Sequence, residues 1–225
     1  MSQRLGHRLA LGFLLLMAAA LRLWGLERLP PGLQFDEAHN GLDALRVLGG
    51  ARDLFFADNG GREPLSIYLQ ALALGALGSD RPMLALRLVS ALTGIVTVTV
   101  IYGWLRDFLG QRRTALAGAG FLAFSYWHLH FSRFGIRAIR APRWTTLTLS
   151  ALRWPVGISR TAEASTPLHE AEGPIRPSGP AWGGAASLAC GAAMAAAVYS
   201  HPTGRLLPLV VLGHLAWLAA RHRER

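Results

Sequence analysis

The stretch LALGFLLLMAAALRLWGL (residues 9–26), followed after a short linker by QFDEAH (residues 34–39), decides the fold of this chain. Its first part is an apolar run close to the roughly 20 residues that a helix needs to cross a bilayer. Its second part places a pair of acids, Asp36 and Glu37, just beyond the end of that helix. The order predicts a membrane helix that opens into a polar site at one face of the membrane.

The loop of residues 27–63 concentrates the acids of the chain. It holds seven of the 13 acidic residues: Glu27, Asp36, Glu37, Asp43, Asp53, Asp58 and Glu63. Within it, residues 36–48 predict a helix, because Leu42, Leu45 and Leu48 recur at helical spacing and acids suit the positive end of a helix dipole. We expect a short amphipathic helix lying along the membrane surface.

Composition places the whole chain in a membrane. Hydrophobic residues make up 52% and charged residues only 16% of the 225 residues, whereas soluble domains carry about 25% charge. Because spanning segments must satisfy their own backbone hydrogen bonds, helices are the default. We therefore predict an all-α, polytopic membrane helix bundle with an outward-facing acidic first loop. It has six or seven hydrophobic segments, at residues 9–26, 64–79, 88–105, 114–132, 136–158 (interrupted), 181–199 and 206–220.

Arginine distribution predicts the orientation. The N-terminal arginines, the linker 106–113 and the tail 221–225 should all be cytoplasmic, so the N-terminus is cytoplasmic and the acidic loop faces outward. Segment 64–79 conflicts with this, and it is either half-inserted or an exception to the charge rule. Arg22, near the end of the first segment, is expected to snorkel to the interface. The chain has a net charge of +10, but its sequence shows no basic face with interleaved aromatics, so no nucleic-acid partner is predicted.

Residues 138–180 break the pattern between an N-terminal region (1–137) and a final pair of helices with a basic tail (181–225). Arg140, Arg143 and Arg153, with two prolines, interrupt a fifth span. Each arginine inside a span costs about 2.5–3.5 kcal/mol on insertion scales. A frameshifted stretch is one hypothesis for this segment, and an intact reading frame in resequenced transcripts would refute it.

Several short motifs occur in a recognisable order. They are Phe35-Asp36-Glu37-Ala38, Arg62-Glu63-Pro64-Leu65, Leu86-Arg87-Leu88, Gly110-Gln111-Arg112-Arg113, Arg133-Phe134-Gly135-Ile136-Arg137 and His201-Pro202-Thr203-Gly204-Arg205. Over about residues 5–137 and 181–220 the chain resembles membrane glycosyltransferases of the C-type fold, in particular the protein O-mannosyltransferase-like and aminoarabinose-transferase-like group. Members are usually longer, so the resemblance implies an N-terminal portion.

The resemblance implies transfer of a sugar from a polyprenyl-phosphate-linked lipid donor to an unidentified acceptor at the outer face of a bacterial plasma membrane. Asp36 matches the family's catalytic acid, and a carboxylate suits a general base that takes the proton of the acceptor hydroxyl. Glu37 would orient the acceptor or hold Asp36. A purely structural role of Asp36 as the N-terminal cap of the following helix is a compatible alternative.

Basic and aromatic residues are candidates for substrate binding. Arg133 and Arg137, four apart, would share one helix face and either hold the lipid-linked phosphate or anchor to head groups. Further candidates are Arg205, His39, Tyr199 and His201. No metal or cofactor is predicted, although Asp36 with nearby histidines leaves a divalent cation open. The alternatives are an inactive fragment, a non-enzymatic helix-bundle protein and, with less support, a small transporter.

Overall fold

The computed structural model of the protein describes residues 2–58, 60–78, 80–153 and 184–223. Predictions that fall on residues 154–183 lie outside this range. The α-helices are α1 (Ser2–Leu23), α2 (Phe35–Leu48), α3 (Pro64–Leu77), α4 (Pro82–Leu109), α5 (Arg112–Phe124), α6 (Tyr126–Arg133), α7 (Ala141–Arg153), α8 (Gly184–Val198) and α9 (Leu207–Arg223). Two short 3₁₀ helices, Arg137–Arg140 and Pro202–Leu206, precede α7 and α9.

The predicted all-α membrane bundle is confirmed. Two of the described helices are long and apolar enough to cross a bilayer: Arg4–Leu23, with a mean hydropathy of 1.4, and Pro82–Leu109, with 2.0. In contrast, α3 has 14 residues and a length of roughly 21 Å at 1.5 Å per residue. A hydrocarbon core is about 30 Å thick, so the length of α3 fits the half-inserted alternative for this segment.

The first core lies where α1, α4 and α5 meet. Its buried side chains are Leu14, Ala18, Val98, Tyr102, Ala115, Ala119 and Ala123. The three alanines of α5 recur every four residues and so form one smooth face. Small residues of this kind let helices in a membrane approach closely. A Cβ added to Gly94 of α4 would lie 2.6 Å from the Ser132 Cβ, which shows how closely α4 and α6 approach.

The prediction that Arg22 snorkels to the interface is wrong, because the side chain is completely buried. Its Nη2 donates to the Ala123 carbonyl at 3.2 Å and lies 2.9 Å from His128 Nδ1. The predicted single span 114–132 is also divided, since α5 ends at Phe124 and α6 begins at Tyr126. The two corrections are linked by one contact. A carbonyl in the last turn of α5 lacks a helical donor, and the Arg22 guanidinium supplies one.

Helix α2 presents its leucines outward and its polar residues inward. Leu42, Leu45 and Leu48 are exposed, by 60%, 47% and 50%. The buried face carries Glu37, Asn40, Asp43, Ala44 and Val47. The exposed leucines fit a helix that lies on a membrane with its apolar stripe toward lipid, as expected for an interfacial helix. The inward polar row requires partners inside the protein, and these define the candidate site.

The described part of residues 138–180 is helical and belongs to a separate hydrophobic cluster. Helix α7 packs against α8 and α9 through buried Leu152, Cys190 and Val211. Arg140 is fully buried and donates from Nη1 to the Ser66 hydroxyl of α3. Residues 154–180, where the frameshift hypothesis also applies, are outside the described range.

Candidate functional site

Glu37 and Arg87 form the centre of the polar interior. Both side chains are completely buried, and Arg87 Nε donates to Glu37 Oε1 at 2.9 Å while Nη2 donates to Oε2 at 3.1 Å. Two parallel bonds of this kind give strength and fixed geometry. Arg87 also donates to the backbone carbonyls of Leu26 and Pro30, at 3.1 and 2.8 Å. The pair therefore ties α2 and α4 to the linker that follows α1.

Three side chains hold the backbone of Gly135. Its N–H donates to Glu37 Oε1 at 2.9 Å, and its carbonyl accepts from Asn40 Nδ2 at 2.9 Å and from Gln70 Nε2 at 2.7 Å. A Cβ at position 135 would meet Glu37 Oε1 and Leu86 Cβ, each at 3.0 Å. Glycine allows this close approach. The contacts fix the segment between Arg133 and Arg137 onto α2 and α3.

Arg62 lies between two acids of α2. Its side chain is 3% exposed, its Nη1 donates to Asn40 Oδ1 at 2.9 Å, and Nη2 is 3.8 Å from Asp36 Oδ1. Nη1 is also 3.8 Å from Asp43 Oδ2. Burial lowers the pKa of Arg62, while Asp36 and Asp43 oppose that shift. Burial likewise raises the pKa of Asp43, against the opposing charges of Arg62 and Arg46.

Among the described residues, Nη2 of Arg62 has no hydrogen-bond acceptor. Buried polar groups nearly always have a partner, so such a group calls for an explanation. Its nearest charged neighbour is the carboxylate of Asp36, whose side chain is 60% exposed. A separation of 3.8 Å is too long for a hydrogen bond. The arrangement places a donor with unused capacity beside an accessible carboxylate.

Glu63 joins two of the predicted phosphate-binding arginines. Arg137 Nη1 donates to Oε2 at 2.8 Å and Arg205 Nη2 donates to Oε1 at 3.0 Å, while the Glu63 side chain is only 5% exposed. Arg205 is 58% exposed. His201 lies within the electrostatic reach of both Arg137 and Glu63. Burial lowers the pKa of His201, the charge of Arg137 adds to the shift, and Glu63 opposes it.

The predicted site residues divide into two groups. Asp36, Glu37, Arg137, Arg205 and His201 converge on the network built by Arg62, Glu63 and Arg87. The others lie apart from these contacts, and they are Arg133, His39 and Tyr199. His39 packs edge-on against Phe35 at 4.5 Å. Tyr199 is 51% exposed, and its carbonyl accepts from the Leu65 N–H at 3.3 Å.

Arg133 does not share a helix face with Arg137, contrary to the prediction. Helix α6 ends at Arg133, and Phe134 and Ile136 are extended, with ψ of 147° and 152°. The reason is that the three hydrogen bonds that Glu37, Asn40 and Gln70 make with the Gly135 backbone keep this segment extended. Arg133 instead donates from Nη2 to the carbonyls of Trp24 and Leu29, at 2.8 and 3.1 Å. It therefore stabilises the chain that follows α1.

Asp36 is not the N-terminal cap of α2. The helix begins at Phe35, and extended Gln34 takes the capping position. Glu37 reaches back to the Gln34 backbone N–H at 3.4 Å, which is half of a capping box. Asp36 is therefore the second residue of the helix, and the capping contact belongs to its neighbour. Along a helix the two side chains point about 100° apart, which lets one face solvent and the other the core.

Four residues of the network were absent from the predicted site: Arg62, Glu63, Arg87 and Asn40. The first three stand inside the motifs that carried the family resemblance, which was the available signal. A charged residue at the start of an apolar segment is costly unless it is paired. Within residues 2–58, 60–78, 80–153 and 184–223, no three His, Cys, Asp or Glu side chains lie together as a metal-binding group.

An all-α membrane bundle with an acid and several arginines at one end of its helices matches the class of membrane glycosyltransferases. Comparison with protein families places it more closely, since the profile of the dolichyl-phosphate-mannose-protein mannosyltransferases matches residues 64–199. The match spans more than half of the 225 residues, and the chain belongs to this family. Comparisons with curated proteins and with solved structures gave no match. Arg137 lies within the matched range, and Asp36 lies before it.

Proposed function

We propose that the protein transfers a sugar from a polyprenyl-phosphate-linked donor to an acceptor hydroxyl at the outer face of the membrane, with Asp36 as the general base. The observation that carries the proposal is the environment of Asp36. Its side chain is 60% exposed and lies 3.8 Å from Nη2 of a buried arginine that has no hydrogen-bond acceptor among the described residues.

The reaction exchanges one bond to the sugar for another. The acceptor oxygen attacks the anomeric carbon, its proton passes to the Asp36 carboxylate, and the bond from that carbon to the phosphate oxygen breaks. The phosphate leaves with the electron pair and its added negative charge. We assign Arg137 and Arg205 to binding of the leaving phosphate, since Glu63 holds both guanidiniums close together. Guanidinium donors match phosphate oxygens in geometry and charge.

Glu37 has a positioning role in this proposal. Its carboxylate is fully buried and accepts from Arg87, from the Gly135 N–H and from the Gln34 N–H. These bonds fix the first turn of α2, and with it the direction of the Asp36 side chain. A carboxylate so engaged and so buried cannot reach an acceptor hydroxyl, whereas its exposed neighbour can.

Arginine placement supports the proposed orientation of the bundle. The basic ends at residues 4–8 and 106–113 lie away from the acidic loop along α1 and α4, so the positive-inside rule favours a cytoplasmic N-terminus with Asp36 on the outer side. A bacterial plasma membrane with a polyprenyl-phosphate carrier fits this placement. Cysteine labelling of the full chain in intact cells tests it. Labelling of a cysteine at Asp58 by an impermeant reagent supports the orientation, and protection of that site contradicts it.

The test of function is release of polyprenyl phosphate from a radiolabelled mannosyl donor by the full chain in lipid nanodiscs, with a membrane extract as the source of acceptors. General acid–base groups contribute about 10²–10⁴-fold, so Asp36→Asn should lower the rate at least 100-fold. Asp58→Asn is the matched control, since its side chain is 68% exposed in the same loop, and it should keep wild-type activity. Equal rates for Asp36→Asn and wild type would remove the catalytic role. No release by wild type with either a mannosyl or an aminoarabinosyl donor would favour a non-enzymatic bundle protein.

A further inference from the structure

A basic pocket opens at the end of the bundle away from the acidic loop. It has a volume of about 350 Å³ and is lined by Arg4, His7, Arg112 and Arg113. All four lining residues are basic, and they come from two helices that are distant in sequence. The nearest acid along α4, Asp107, pairs with Arg106 at 2.7 Å. The sugar-transfer reaction assigns no role to these residues.

Three helix ends build the pocket. Helix α4 ends at Leu109, and Gly110 takes a left-handed conformation with φ of 69°, so that α5 begins at Arg112. This short turn places both α5 arginines beside the first turns of α1. His7 of α1 lies 2.6 Å from the Tyr102 hydroxyl of α4 and fixes the third side of the pocket. Helix packing therefore brings the backbones of the four lining residues together, while the side chains of Arg4, Arg112 and Arg113 are exposed.

The helix dipole makes this arrangement unfavourable without an anion. The N-terminus of a helix carries partial positive charge, and its first N–H groups have no helical acceptors. Arg112 and Arg113 stand in that first turn, and the turn contains no acid. Cations there repel the dipole and each other. A bound anion would offset both effects and would accept hydrogen bonds from the guanidiniums.

The position of the pocket favours a membrane lipid as the source of the anion. It lies at the ends of the two span-length helices, and the segment Arg4–Leu23 has 20 residues, roughly 30 Å at the α-helical rise. This equals the thickness of a hydrocarbon core, so its ends reach the head groups. We propose that the pocket binds the phosphate of an anionic phospholipid head group. Basic pockets between membrane helices bind lipid phosphates in this way.

The lipid site is distinct from the sugar-transfer site. Arg4 and Arg22 are 18 residues apart on α1, which corresponds to roughly 27 Å along the helix. Arg22 lies at the end of α1 from which the chain runs to α2 and Asp36. A bound lipid would hold α1, α4 and α5 together at one end and would take no part in the chemistry at the other.

Native mass spectrometry of the full chain, released from nanodiscs of phosphatidylcholine with added phosphatidylglycerol, tests the proposal. A hydrogen bond to a charged group contributes about 1.5–3 kcal/mol, so Arg112→Gln/Arg113→Gln, which removes one such bond to the phosphate per residue, should weaken phosphatidylglycerol binding at least about 100-fold, at 1.4 kcal/mol per tenfold change. The matched control is Arg8→Gln/Arg106→Gln, which removes the same charge at the same end without touching the pocket. It should change binding less than threefold.

Three results would overturn the proposal. An equal loss in the control double variant would show general surface attraction. Equal retention of phosphatidylcholine and phosphatidylglycerol by wild type would show no anionic site, and this comparison stands even if the variants fail to fold. Binding of inorganic phosphate as tight as that of phosphatidylglycerol would assign the pocket to a soluble phosphate. The expected result is preferential retention of phosphatidylglycerol, with inorganic phosphate competing only weakly.

Discussion

Replacing Glu37 by glutamine should strongly destabilise the bundle, although the side chain keeps its size. The carboxylate and the Arg87 guanidinium are both fully buried, and glutamine removes the charge that balances Arg87. The carboxylate accepts hydrogen bonds from Arg87, Gly135 and Gln34. The NH₂ group of glutamine would face one of these donors and could not accept its hydrogen bond. Breaking a buried pair by removing one partner costs about 3–5 kcal/mol. We expect a loss in this range in the free energy of unfolding.

A double variant, Glu37→Gln with Arg87→Met, separates the unpaired charge from the lost contacts. The second change removes the uncompensated cation, but it also deprives the Leu26 and Pro30 carbonyls of their donor. The combined loss should therefore fall short of the sum of the single losses by about 0.5–3 kcal/mol, as for residues in direct contact. Purely additive losses would contradict a paired role for the two side chains.

The assay is titration of the purified chain in mixed micelles with a denaturing detergent, followed by far-ultraviolet circular dichroism. Asp36→Asn is the control, because it removes the adjacent carboxylate from a side chain that is 60% exposed. Surface substitutions usually stay within about 0.5 kcal/mol. If Glu37→Gln lost less than about 1 kcal/mol, or if both variants lost the same amount, the division of roles between the two acids would be refuted.

Two further predictions concern packing and pH. Gly94→Ala should destabilise the protein by about 1–3 kcal/mol, because its Cβ would lie 2.6 Å from Ser132 Cβ and 3.0 Å from Arg22 Nε. Gly103→Ala on the same helix meets no atom within 4 Å and should gain roughly 0.5–1 kcal/mol of helix stability; detergent unfolding that ranks the two variants alike would contradict this. Burial lowers the pKa of His201 below 6.5 in the folded protein. Below pH 6.5 the unfolded chain therefore binds more protons than the folded one, and the free energy of unfolding decreases as the pH is lowered, until the pH reaches the folded pKa. His201→Gln should flatten that part of the stability profile, and an unchanged slope would show that another group titrates.

Much of the architecture could be predicted from local pattern. The apolar run 64–79 predicts α3 (Pro64–Leu77) to within two residues, and leucine spacing predicts α2 to within one. For α1 and α4 the apolar runs predict the helices but not their bounds, since 9–26 became Ser2–Leu23 and 88–105 became Pro82–Leu109. The division of segment 114–132 could not be predicted in this way, because the Ala123 carbonyl at the end of α5 takes its donor from Arg22, 101 residues away. The same contact explains why Arg22 is buried. A hydropathy pattern assigns an arginine near a helix end to the interface, because it does not show whether a buried hydrogen-bond acceptor lies nearby in the fold.

The candidate site was predicted in part. Motifs predict Asp36 and Arg137, and the structure places Asp36 3.8 Å from Arg62 and pairs Arg137 with Glu63. Arg133 was grouped with Arg137 because of spacing alone. A shared face requires a continuous helix, and the hydrogen bonds to the Gly135 backbone interrupt the helix between the two arginines. Spacing predicts a shared face only where the backbone hydrogen bonds of the helix persist.

The sequence by itself determined the class of the protein and the position of its acids. Apolar runs of this length must be helices in a membrane, since no other single segment satisfies its own backbone there. It also placed Asp36 and Glu37 in the first turn of a short surface helix. Only the tertiary structure decided which of the two is buried, because that depends on where Arg87 lies, 50 residues further along. It likewise brought Arg205 to Glu63 across 142 residues. Burying a charge requires a partner close in space, and local periodicity carries no information about which distant residue will supply it.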